Sequence, residues 1–69
     1  MPAIELSRPL RDLSMVALTH EFECKGRLLP EGSRGAVVYA YRDGSTYEVE
    51  FTVPFACVLT LHSRDIRPV

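Results

Sequence analysis

The clearest pattern in this chain is a strict alternation of apolar and polar residues over positions 46–53. One set of alternating positions is apolar: Tyr47, Val49, Phe51 and Val53. The other set is polar: Thr46, Glu48, Glu50 and Thr52. Successive side chains of a strand point to opposite faces, so this period of two predicts a strand with its apolar set in the core. We expect Glu48 and Glu50 to form a solvated acidic strip.

An Asp43-Gly44 pair separates this strand from an apolar, β-branched run at residues 35–42. Asp-Gly between two such runs predicts a tight hairpin, because glycine supplies the positive φ that the turn requires. Strict alternation puts Val37, Tyr39 and Tyr41 on one face of the run. Small apolar residues occupy the other face, so both faces are partly apolar, which is typical of a strongly bent strand.

The rest of the chain predicts three more short strands. The pattern indicates one over residues 13–20, followed by a long polar loop over residues 20–33. Another spans residues 57–62, with Cys57, Leu59 and Leu61 inward, and Pro54 interrupts the ladder before it. Residues 63–66 predict a single 3₁₀ turn and residues 66–69 a last strand. The expected fold is all-β: a small five-stranded, SH3-like, partly open barrel over residues 13–69, preceded by an N-terminal arm of residues 1–12.

Size and charge limit the classes of function. A chain of 69 residues forms one domain with a small core. Its longest apolar run has six residues, which is far below the ~20 needed for a membrane helix. The first residues lack the apolar core of a signal peptide, so we expect a cytoplasmic location. The net charge of −1 is too balanced to direct the protein onto nucleic acid by its overall field.

Several segments together resemble a family of small bacterial proteins that carries a domain-of-unknown-function label. They are Val16-Ala-Leu18, the Gly-x-x-Gly-x-Val-Val segment at 32–38, Asp43-Gly44, Tyr47-Glu-Val-Glu-Phe51 and Asp65-Ile-Arg-Pro68. The resemblance covers residues 10–69, departs at residues 55–58, and implies an SH3-like barrel but no activity. The glycine segment is also similar to KOW-type modules, which bind RNA or proteins of the translation machinery.

The two cysteines and two histidines are the first candidates for chemistry. His20-x₃-Cys24 and Cys57-x₄-His62 supply the residue types of a zinc site. However, Cys57 and His62 are five positions apart on one strand, so their side chains leave opposite faces. We therefore expect no metal. A disulfide between Cys24 and Cys57 is the alternative, but free thiols are the default in a reducing cytosol. The sequence leaves open whether Cys24, in the polar loop, is exposed.

Catalysis is not indicated by any constellation. No serine lies in a nucleophile-elbow context. Glu48 and Glu50, about 7 Å apart along a strand, have the spacing of an acid pair, but a small barrel offers no cleft that would raise a pKa. We expect neither catalytic residues nor a cofactor.

Binding of another protein is the function that the sequence favours. Tyrosine carries a polar tip on an apolar ring and suits half-exposed positions. The predicted partner-binding residues are Tyr39, Tyr41, Arg42, Lys25 and Arg27. A role as antitoxin, immunity protein or accessory subunit would fit such a module. The alternatives are a homodimer, formed through an edge strand or through exposed Val38 or Val58, and an RNA- or DNA-binding module of KOW type.

Overall fold

The computed structural model describes residues 14–69 and confirms the all-β fold. The strands in this range are β1 (Met15–Leu18), β2 (Phe22–Cys24), β3 (Arg27–Leu29), β4 (Arg34–Ala40), β5 (Thr46–Phe51), β6 (Cys57–His62) and β7 (Ile66–Pro68). A 3₁₀ turn, Ser63–Asp65, precedes β7 as predicted. The predicted N-terminal arm, residues 1–12, lies outside the described residues.

Five of the strands form one antiparallel sheet in the order β6-β5-β4-β1-β7. The sheet curls into a half-barrel, which is the partly open, five-stranded arrangement that the sequence predicts. Its inner face carries most of the fully buried core. The largest fully buried side chains are Phe51, Leu18, Leu61, Val16, Val37 and Val49 of this sheet, together with Leu29 of β3.

Gly35 allows β4 and β5 to approach each other closely beside this core. A Cβ atom on Gly35 would lie 2.8 Å from the carbonyl oxygen of Glu50 and 2.9 Å from Cδ2 of Phe51. Real Cβ atoms do not come so near, so any other residue would displace the neighbouring strand. The glycine is therefore a packing requirement.

The sequence predicted a long loop over residues 20–33, but the structure shows that this segment contains the hairpin β2–β3. Its turn residues are Lys25, with φ of 57°, and Gly26, with φ of 77°. Positive φ at both central positions is the mark of a two-residue hairpin turn. The prediction was wrong because each strand has only three residues and a lysine stands where Asn or Asp is usual.

The two cysteines form a disulfide, Cys24–Cys57, so the expected pair of free thiols is wrong. Cys24, whose exposure the sequence left open, is buried where the hairpin packs against the core of the half-barrel. Nearby, the guanidinium carbon of Arg27 lies 4.0 Å from the centre of the Phe55 ring. The disulfide and this cation–π contact both attach the hairpin to the β5–β6 end of the sheet.

The predicted alternation also fails at two places. The register between β4 and β5 shifts between Val37 and Tyr39, which indicates a β-bulge at Val38. Val37 is therefore fully buried while Tyr39 is exposed, although strict alternation put them on one face. Val53, predicted to be inward, is 72% exposed because β5 ends at Phe51.

Candidate functional site

The outer face of the sheet, opposite the core, holds the tyrosines that the sequence singled out. Tyr39 on β4 pairs with Glu48 on β5, and Glu48 pairs with Thr60 on β6. One position along, Glu50 pairs with Val58. Cross-strand partners lie about 5 Å apart, so these side chains form a continuous surface. We call the set Tyr39, Tyr41, Glu48, Glu50, Val58 and Thr60 the tyrosine–glutamate face.

Glu48 is the centre of this face. Its Oε2 atom accepts a hydrogen bond from the hydroxyl group of Tyr41 and another, of 2.7 Å, from the hydroxyl group of Thr60. These two bonds, that of Tyr41 first, hold the pKa of Glu48 below its usual value. The same bond raises the pKa of Tyr41, since the phenol must keep its proton to donate to the carboxylate. The carboxylate is thus ionised and fixed in direction.

The two tyrosine rings form a pair on the surface. Their centroids are 4.9 Å apart and their planes meet at 84°, an edge-to-face arrangement. Tyr39 is 53% exposed and Tyr41 is 39% exposed, so both rings face solvent. Val58 on β6 is 53% exposed as well. The face therefore combines exposed apolar area with one carboxylate, that of Glu48, which two hydrogen bonds hold in place.

The predicted partner-binding residues do not form one patch. Arg42 is exposed in the turn next to Tyr41, at the end of the sheet where Thr46 pairs with His62. Lys25 lies in the turn of the β2–β3 hairpin and Arg27 directly follows this turn, which the disulfide ties to the other end of β6. The six residues of β6 span about 17 Å from Cys57 at the hairpin end to His62 at the end near Arg42. The structure thus brings Tyr39, Tyr41 and Arg42 together and leaves Lys25 and Arg27 elsewhere.

A second polar cluster lies where the β2–β3 hairpin begins. His20 Nε2 is 3.1 Å from Oδ1 of Asp65, and the His20 ring stacks on Phe22 at 4.4 Å. Asp65 Oδ2 accepts a 3.0 Å hydrogen bond from the backbone N–H of His62. Thr19 adds hydrogen bonds to the carbonyl oxygens of Arg64 and Asp65. This cluster attaches the hairpin to the 3₁₀ turn, so it has a structural use.

An open groove of about 690 Å³ lies at one end of the sheet. Residues 30–34 and 52–54 form its walls together with Met15, and the lining is mostly apolar. None of the predicted partner-binding residues lines it.

Residues 14–69 contain neither a metal-binding cluster nor a membrane-spanning helix. Within that range, no cluster of three or more His, Cys, Asp and Glu side chains is arranged to hold a metal ion. Both cysteines among the four residues considered for zinc are joined in the disulfide. No helix in the same range is long and apolar enough to cross a membrane.

A scan against protein-family models finds no match to this chain, and neither does a search of curated proteins or of solved structures. The resemblance to a bacterial family of unknown function therefore stays a prediction.

Sequence reasoning identified both tyrosines but missed what organises them. It treated Glu48 as a free, solvated carboxylate, whereas Glu48 is half-buried beneath two hydroxyl groups. Thr60 was not singled out at all. The signal for Thr60 was available, because it is an outward position of β6, but its pairing with Glu48 depends on a register that only the fold defines.

Proposed function

We propose that this chain is a protein-binding module and that the tyrosine–glutamate face is its contact surface. One observation carries the proposal: Tyr39, Tyr41 and Val58 are all exposed on one sheet face, with the carboxylates of β5 between them, and no described strand covers that face. Tyrosine is enriched in protein interfaces because its ring adds contact area at low entropic cost while its hydroxyl group hydrogen-bonds. A non-enzymatic role fits this face, since an ionised carboxylate on an open surface has no cleft in which to transfer protons.

Nucleic-acid binding is the second candidate, and a different part of the outer face favours it. Arg34 on β4 and Arg67 on β7 both pair with Ala17 on β1, so they flank one strand. Two arginines in one cross-strand row could contact phosphates. Glu48 and Glu50, on the same sheet face, would repel the phosphates. Binding that weakens steeply with added salt would support this candidate, and salt-tolerant binding would support a protein partner.

The biological setting of the module is also a proposal. A role as antitoxin, immunity protein or accessory subunit requires only a surface that covers another protein, and the tyrosine–glutamate face could do so. A cytoplasmic location stays a prediction that the disulfide makes testable. In a reducing cytosol the Cys24–Cys57 pair is expected as thiols, so finding it oxidised in cells would argue for another compartment.

Site-directed photo-crosslinking in the native cell tests the proposed surface. A photo-crosslinking residue in place of Val58 samples the face, and the same residue in place of Leu28 is the matched control. Leu28 is 58% exposed, close to the 53% of Val58, but it lies on β3. We expect one discrete crosslinked product from position 58 that position 28 does not give. The same products from both positions, or none from position 58, would contradict the proposal.

A further inference from the structure

The chemistry of the partner can be inferred from the charges on the tyrosine–glutamate face, and this inference rests on the proposed function. Glu48 and Glu50 point outward from β5 two residues apart, so their Cα atoms are about 7 Å from each other. Within residues 14–69, no basic side chain forms an ion pair with either carboxylate, although Arg34 and Arg42 lie at the two ends of the face. The face therefore carries negative charge that the described residues leave unneutralised.

The aromatic rings beside these carboxylates add a second attraction for cations. Tyr39 is the direct cross-strand partner of Glu48, and the hydroxyl group of Tyr41 donates a hydrogen bond to the same carboxylate. The face of a phenol ring attracts an ammonium or guanidinium group. A cation placed over Tyr39 would thus lie next to the fixed carboxylate of Glu48. The exposed side chain of Val58, beside Glu50, can pack against the aliphatic stem of a lysine or arginine.

The spacing of the two carboxylates matches one conformation of the partner. Alternate side chains of an extended segment are also about 7 Å apart and point the same way. We propose that the tyrosine–glutamate face binds an extended segment of a partner protein that carries Lys or Arg at two alternate positions. One basic side chain pairs with Glu48 and Tyr39, and the other pairs with Glu50.

A second copy of this chain fits less well than another protein. Its own alternate basic pair in the described range, Lys25 and Arg27, surrounds Gly26 in a tight turn and is not extended. Arg27 is in addition held over Phe55. A homodimer is therefore an outcome of the test and not the proposal.

Peptide titration of the full chain by NMR provides the test. The probes are three short peptides of Thr and Val that differ only in their charged positions. One has Lys at two alternate positions, one has the two Lys adjacent, and one has Gln in place of both. We expect the alternate-Lys peptide to bind about tenfold more tightly than the Gln peptide, from two surface ion pairs and one cation–π contact. Adjacent lysines point to opposite faces, so that peptide should bind in between. The largest shifts should fall on Tyr39, Glu48, Glu50 and Val58.

Two double variants separate this site from a general charge effect. Glu48→Gln with Glu50→Gln should abolish the preference for the alternate-Lys peptide. Glu23→Gln with Glu31→Gln removes the same charge from exposed positions outside the face and should leave the preference unchanged. Equal affinity for the charged and neutral peptides, equal losses in both double variants, or no binding at all would overturn the inference. So would a dimer by light scattering that Glu48→Gln with Glu50→Gln dissociates.

The two proposals fail in different ways. If a residue at position 58 crosslinks a partner but the peptides bind without regard to charge, the face is a protein-binding surface and only the basic-segment inference is wrong. If position 58 gives no specific product and no peptide binds, both are wrong.

Discussion

Cys24 on β2 is bonded to Cys57, the first residue of β6, across a sequence separation of 33 residues. The bond lies between two elements that share no backbone sheet, because β2 and β3 form a separate two-stranded sheet. An isolated hairpin of this size is only marginally stable in water. Its position against the half-barrel therefore depends on side chains, and the disulfide is the strongest of these connections.

Removing the disulfide should destabilise the protein considerably. Closing a loop of this length stabilises a fold by about 4 kcal/mol through the restricted unfolded chain. We expect Cys24→Ser with Cys57→Ser to lower the free energy of unfolding by about that amount, measured by urea titration. Adding a reductant to the unmodified protein should reproduce most of the loss, and it should not affect the double variant. Equal unfolding midpoints with and without reductant would show that the bond does not form in solution.

The hydrogen bond between Tyr41 and Glu48 should appear in the titration of the phenol. The bond to Glu48, and the negative charge there, raise the pKa of Tyr41. Glu48→Gln removes the charge, so the pKa of Tyr41 should fall toward the ordinary value of about 10. Glu50→Gln, on the same strand face, is the control and should change it much less. Ring carbon shifts followed by NMR in alkaline solution report each tyrosine separately. An identical midpoint in the two variants would contradict the assignment.

The Tyr41–Glu48 pair also predicts how the free energy of unfolding changes with pH. The folded pKa of Glu48 is lowered, so its contribution is present above the unfolded pKa of about 4.3 and is lost as the pH falls through the folded value. The folded pKa of Tyr41 is raised, so its contribution is present below about pH 10 and is lost as the pH rises through the folded value. Both effects are small because the pair faces solvent.

Two glycines should differ in how they tolerate substitution. Gly35→Ala forces a Cβ against Glu50 and Phe51 and should cost about 1–3 kcal/mol of stability by overpacking. Gly44 has open space around its Cα but a φ of 79°, so Gly44→Ala should cost about 1 kcal/mol from backbone conformation alone.

Asparagine distinguishes the two causes. Asn tolerates positive φ, so Gly44→Asn should recover most of the stability that Gly44→Ala loses. Gly35→Asn should be at least as harmful as Gly35→Ala, because the obstacle there is space. Urea midpoints for the four variants measure this, and recovery of stability in Gly35→Asn would contradict the packing argument.

The sequence predicted the parts of the fold that depend on local pattern. Val49 and Phe51 alternate with glutamates, and that pattern is enough to place them in the core. Tyr39 was placed wrongly relative to Val37 because one extra residue in β4 reverses the alternation, and nothing in a run of Val and Tyr marks a bulge. The Cys24–Cys57 disulfide was named as an alternative, but free thiols were preferred because a reducing cytosol was expected. Whether Cys24 meets Cys57 depends on how a short hairpin folds over the sheet, which no periodicity between them records.

Asp65 and His20 should control how firmly the base of the hairpin is held. Burial of Asp65 raises its pKa, but the hydrogen bonds from the N–H of His62 and from His20, with the positive charge of Arg64, outweigh burial and lower the pKa overall. Because the folded pKa is lowered, this stabilisation is present above the unfolded pKa of about 3.9 and is lost as the pH falls through the folded value.

Asp65→Ala leaves the N–H of His62 without its acceptor and should cost about 1–3 kcal/mol of stability near neutral pH. Asp65→Asn keeps an acceptor oxygen but carries no charge, so it should lose less stability than Asp65→Ala. Because Asn does not titrate, the stability of this variant should also fall less between neutral pH and acid than that of the unmodified protein. Urea unfolding midpoints measured at neutral pH and at about pH 3 compare the variants, and Glu31→Gln is the control at an exposed position. Since the hairpin base would loosen first, amide exchange in β2 and β3 should accelerate in Asp65→Ala more than exchange in β5. Uniform acceleration across both sheets would show that Asp65 supports the whole fold and not the hairpin base.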